Sequence, residues 1–135
     1  MNKFLSDLEP LARNAMRIMV GMMYWSHGAQ KLFGWFGWEN PVAITSRFGA
    51  AAIIETVGGL LIVTGFKHRP VAFIISGEMA VTYWWMHVIG RSELWWWANR
   101  GEIPALYAFV FLFIAASGGG DFSIDGWLKK RRATG

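Results

Sequence analysis

The chain has 135 residues, of which 54% are hydrophobic, 16% aromatic and only 16% charged, with a formal net charge of +4. So few charges cannot cover a water-facing globule of this length, and the mean hydropathy of +0.31 agrees that lipid is part of the solvent. The basic residues lie scattered between apolar runs and end in Lys129, Lys130, Arg131 and Arg132, a placement that suits anionic headgroups rather than nucleic acid, and the absence of cysteine excludes disulfides, thiolate metal sites and dithiol chemistry.

In chain order, residues 1–10 carry Asp7 and Glu9 and lack a basic region ahead of a small-residue cleavage site, so they do not read as a cleaved signal peptide. Apolar stretches follow at about 11–34, 48–66, 70–90 and 103–118, each close to the roughly 20 residues a helix needs to cross a ~30 Å hydrocarbon core. Helix is preferred to strand because an isolated segment in lipid must satisfy its own backbone hydrogen bonds. Pro70 and Pro104 suit the first turns of the third and fourth helices, and Pro41 marks the first loop. Gly49, Ala50, Ala51, Ala52, Gly58 and Gly59 crowd the second stretch, which predicts a central, protein-facing helix. A basic tail closes the chain at 127–135.

These elements predict an all-α fold, a polytopic membrane four-helix bundle forming a single domain over 1–135. Lys3, Arg13, Lys67, Arg69 and the terminal basic cluster fall on one side, and Lys31, Arg47, Arg91 and Arg100 on the other. That bias predicts cytoplasmic N- and C-termini. The opposite side is rich in indole, through Trp35, Trp38, Trp84, Trp85 and the run Trp95, Trp96 and Trp97. An interfacial aromatic belt accounts for this, and the functional alternative is a quinone shelf formed by Trp35, Trp38 and Trp85.

Ionisable residues inside apolar runs each cost about 2.5 to 3.5 kcal/mol near a helix centre, so they need partners or a function. The set is Arg17, His27, Lys31, Glu55 and Glu78, with His87 and Glu102 nearer the ends. At about 100° per residue, Arg17, Tyr24, Gly28 and Lys31 share one stripe of the first helix, with His27 to one side. Facing charges suggest that Arg17 pairs with Glu78, and His27 or Lys31 with Glu55. The rival reading is a structural lock on helix register, with Lys31 snorkelling to the interface. His27 and His87 alone make a weak case for haem, and no metal-ligand set is visible. His68, between Lys67 and Arg69, reads as part of a solvated basic loop.

The spacing Arg17, Gly21, His27-Gly28, Lys31-Leu32-Phe33-Gly34, then Glu55, Gly58-Gly59-Leu60 and Gly65-Phe66, resembles the DoxX family of small bacterial and archaeal membrane proteins. The closing Gly101-Glu102, Ala105-Leu106-Tyr107, Gly118-Gly119-Gly120 and Ser123-Ile124-Asp125 is similar to that family's ending. By that resemblance Arg17, His27, Lys31, Glu55 and Glu102 match the family's polar positions. Two departures are a Gly-Gly-Gly where Gly-Pro-Gly is common, and the tryptophan run in the outer loop.

The resemblance implies a multi-pass protein of a bacterial or archaeal plasma membrane. It further implies association with quinone-linked sulfur oxidation, quinol oxidase assemblies or complexes that protect against oxidative and thiol stress, beside other subunits. No complete catalytic constellation is legible, and no glycine-rich loop follows a strand to cradle a nucleotide. The expectation is therefore an accessory or structural subunit of a membrane-bound, quinone-linked oxidoreductase, not catalytic alone. Its expected partners are membrane lipids and other membrane subunits, with quinone the one cofactor in view. The alternative is a small transporter or proton-conducting protein.

Overall fold

Two serines act as local start signals. Ser46 and Ser123 sit in extended backbone, and their hydroxyls accept the N–H groups of Gly49 and Gly126, satisfying donors that a helix start leaves open. The structure, a computed structural model, describes residues 2–135 and is all-helical among them. Its elements are α1 (Asn2–Phe33), α2 (Arg47–Thr64), α3 (His68–Thr82), the one-turn α4 (Trp96–Asn99), α5 (Glu102–Ser117) and α6 (Ile124–Thr134). Beyond Thr82, α3 runs on as a π-helical segment, Tyr83–Ile89.

The boundaries depart from the apolar stretches because hydrogen bonding, not apolarity, sets a helix end. α1 begins at Asn2 rather than near 11 and encloses Pro10, whose missing N–H removes one bond and whose carbonyl accepts from Asn14 Nδ2 at 2.8 Å. Its 32 residues span about 48 Å, more than a ~30 Å hydrocarbon layer requires. α2 stops at Gly65, whose φ of +69° lies in the left-handed region; the N–H groups of Gly65 and Phe66 return to Ile62 and Leu61. The tail expected over 127–135 is mostly the helix α6. Among the described residues, α2 alone qualifies by length and composition as a membrane-crossing helix, with a mean hydropathy of 1.5, whereas the apolar α5 has 16 residues.

α1 packs along α2, and α3 along α5. A Cβ on Gly59 would come within 2.6 Å of Trp25 Cβ, and one on Gly28 would collide with Thr56. Small residues thus let the first pair of helices approach closely, which is how packing proceeds where no hydrophobic effect separates helix from lipid. Tyr24, Ile62, Ile75, Tyr107, Phe111 and Ile114 form the core between the pairs. α2 is protein-facing on its glycine side only, since Ile53, Val57 and Leu60 point outward.

Candidate functional site

The ionisable residues separate into two groups, one midway along the bundle and one at the end where α2, α5 and α6 meet. In the first, Lys31 Nζ lies 2.6 Å from Glu55 Oε1, one of the two pairings expected from their spacing. Glu55 is 3% exposed, whereas the Lys31 side chain keeps 27% of its surface. Glu78 takes a different partner from the one expected: Tyr24 donates to its Oε2 at 2.9 Å and Thr82 to its Oε1 at 3.2 Å. The Tyr24 ring meets Tyr107 of α5 edge-on, with centroids 6.1 Å apart. Among the described residues, the Tyr107 hydroxyl and Glu55 Oε2 are both buried without a hydrogen-bond partner. His27, one turn before Lys31, is half-buried.

Arg17 does not pair with Glu78. It is fully buried, and its guanidinium is filled by backbone carbonyls, with Nη1 donating to Ile62 and Val63 at 2.6 Å each. Nε donates to Gly119 at 2.9 Å and Nη2 to Phe122 at 2.5 Å. The physical reason is position. Tyr24 takes the place beside Glu78, while Arg17, two turns away, faces the last turn of α2, where helix carbonyls lack partners and the dipole favours a cation. Two further arginines treat α5 alike: Arg69 donates to Ala115 and Ala116, and Arg13 to Ser117.

His68 corrects the sequence reading most sharply, because it is buried rather than solvated. Its Nε2 accepts the N–H of Gly119 at 3.1 Å, and its Nδ1 stands 2.8 Å from Asp125 Oδ2 and 3.2 Å from the Gly65 carbonyl. Those partners require the Nδ1–H tautomer. Asp125 also accepts the backbone N–H groups of Lys67 and His68, so α6 supplies the cap that α3 lacks locally. Gly119 thereby joins His68, through its N–H, to Arg17, through its carbonyl. Arg13, His68, Arg69, Asp125 and Lys129 line a polar cleft of about 390 Å³ at this end.

Other expected residues disperse. Glu102 is exposed at the first turn of α5, and among the described residues its carboxylate has no hydrogen bond or ion pair. His87 turns to the Asn99 carbonyl at 3.0 Å, a contact that ties the π-helical segment to the tryptophan-rich loop. The three indoles of the expected shelf do not form one surface. Trp85 lines an apolar groove of about 370 Å³ between α2 and α3, with Arg47, Phe48, Glu78 and Met86. Trp35 instead packs against Trp25, Phe33 and Phe36, and Trp38 donates to the Asn40 carbonyl. The Arg47 guanidinium lies over Phe48 and Trp85, 5.3 and 5.8 Å from their ring centroids.

Sequence reasoning missed His68 with Asp125, and Tyr107. Asp125 and Tyr107 each stand in a closing motif of the family resemblance, Ser123-Ile124-Asp125 and Ala105-Leu106-Tyr107, but nothing local gave either residue its surroundings.

The DoxX family model matches residues 12–88, which hold Arg17, His27, Lys31, Glu55, His68 and Glu78. A Haemophilus influenzae protein described as uncharacterized is 36% identical over 136 residues, covering 94% of this chain and 98% of the relative. No solved structure matches.

Proposed function

The chain belongs to the DoxX family of membrane proteins, and on that footing we propose that it is an accessory or structural subunit of a membrane-bound, quinone-linked oxidoreductase. The bundle crosses a bacterial or archaeal plasma membrane four times, with both termini in the cytoplasm. Support for that orientation comes from the polar cleft, where Arg13, Arg69 and Lys129 sit together as cytoplasmic cations should.

The observation that carries the functional reading is the groove between α2 and α3. Its walls are apolar and aromatic, Glu78 lines it, and Arg47 stands over two of its rings. An apolar slot with a few convergent polar groups is the usual form of a site for a flat, lipid-soluble ring. Phe48 and Trp85 would flank a quinone there, and the Arg47 guanidinium would donate to a ring carbonyl. A bound quinone supplies two-electron, two-proton redox capacity. The chain itself contributes the slot, the donor and a carboxylate, which suits a subunit that holds a quinone near another chain's redox centre.

Gentle detergent extraction of the full chain, followed by mass spectrometry and quinone extraction, tests this. Co-purifying membrane subunits and retained quinone are expected, with Arg47→Ala lowering the retained quinone several-fold. A protein that runs alone or only as its own oligomer, with no quinone, overturns the reading. A second reading, a small transporter or proton-conducting protein, is favoured by one observation: the buried carboxylate of Glu55 has a free oxygen.

A further inference from the structure

The mid-bundle cluster is short of one positive charge. Lys31 is the single fixed cation set against Glu55 and Glu78. Arg17 is held by carbonyls near the other end of the bundle, and Arg47 is engaged with aromatic rings in the groove. Three of the four carboxylate oxygens have donors: Lys31 on Glu55 Oε1, Tyr24 and Thr82 on the two oxygens of Glu78. The fourth, Glu55 Oε2, has none. The other orphan is the Tyr107 hydroxyl, on a ring that meets edge-on the Tyr24 ring that donates to Glu78. Both residues are more than nine-tenths buried, at 3% and 4% exposure. A carboxylate oxygen kept from water and from every donor is a costly arrangement unless something binds it.

We propose that Glu55 Oε2 is the binding site of one exchangeable proton, with the other buried orphan, the Tyr107 hydroxyl, as its partner once the proton is bound. The inference extends the proton-conducting reading to named atoms. Binding forms one O–H bond at Oε2 and cancels one carboxylate charge, so Lys31 and Glu78 leave the cluster neutral. Release breaks that bond and restores the Lys31–Glu55 pair in full. A metal cation does not suit the position, because it needs several oxygen ligands and Lys31 already occupies the other oxygen of Glu55. The titratable groups around Glu55 are Lys31, which pairs with it, His27 one turn before Lys31 on α1, and the linked set Tyr24 of α1, Glu78 of α3 and Tyr107 of α5. Two of its neighbours reach the surface. Lys31 is partly exposed, and Glu78 lines the groove between α2 and α3.

Infrared difference spectroscopy between acid and alkaline buffer tests the site directly, using the full chain in vesicles of phosphatidylethanolamine and phosphatidylglycerol. The expected result is a protonated-carboxyl band that rises on acidification, is lost in Glu55→Gln, survives in Glu78→Gln and changes its midpoint in Tyr107→Phe. A band that persists in Glu55→Gln, no band in the wild-type chain, or a band that sodium suppresses at constant pH overturns the proposal. If Glu55→Gln does not fold, Glu55→Asp must move the band, and an unmoved band counts against it equally. Proton flux in the same vesicles is read separately: a titrating site without flux keeps the proton on Glu55 and removes only conduction.

Discussion

At the scale of single residues, the two largest polar investments of this protein solve different problems. Arg17 uses its forked donors on four carbonyls from two segments, so it closes the ends of helices rather than neutralising a charge. Arg17→Met should therefore cost roughly 3–5 kcal/mol, because it leaves four carbonyls without their donor. Arg17→Lys should recover only part, because an ammonium cannot reach all four acceptors; thermal unfolding in one detergent, followed by helical circular dichroism, compares them. Lys31 is a charge partner. Lys31→Met leaves Glu55 buried without its ion and should cost about 3 kcal/mol. Adding Glu55→Leu should return most of it, and a double variant no more stable than Lys31→Met would show that the pair is not what stabilises the mid-bundle. Both residues stood out in the sequence as expensive ions at membrane depth. Glu55 was legible as a partner for Lys31 or His27, but the carbonyls that hold Arg17 were not, since the helical stripe that aligns Arg17 with Tyr24 and Lys31 leaves the opposing residue open by a turn or more.

At the scale of elements, α6 is held by a device that no local sequence window contains. Asp125 caps α3 across 57 and 58 residues of chain and meets His68, while Ser123 caps α6 itself. Asp125→Ala removes a helix cap of about 1–2 kcal/mol and frees α6 more than it unfolds the bundle. Trypsin should then cut at Lys129 and Lys130 roughly 5- to 30-fold faster, a factor that follows from that free energy, with a nearly unchanged unfolding midpoint for the remainder. Equal cleavage rates would mean that the Asp125 contacts do not hold α6. The tryptophan run behaves likewise as an element. Stacked Trp95 and Trp97 are presented by a one-turn helix anchored by the buried Asn99, which donates to Glu93 and Leu94 and accepts from Gly101.

For the whole molecule, the proposed topology places Lys67, the α2–α3 junction and both termini on the cytoplasmic side. The chain has no cysteine, so single introduced cysteines give a clean measurement. A cysteine beside Lys67 should resist an impermeant thiol reagent in intact cells and react after lysis, and labelling from outside would invert the orientation. The sequence by itself determined the helical class, the membrane setting, the family and the cost of the buried ions, because these follow from hydropathy, from glycine and proline positions and from motif spacing along one chain. Tertiary structure alone decided who meets whom: Glu78 with Tyr24 rather than Arg17, His68 in the interior rather than in solvent, Trp85 in a groove without Trp35 or Trp38. The reason is physical. A helix fixes which residues share its own face, but the axial offset and rotation of one helix against the next are set by close approaches such as Gly59 on Trp25, and a shift of one turn exchanges every polar partner.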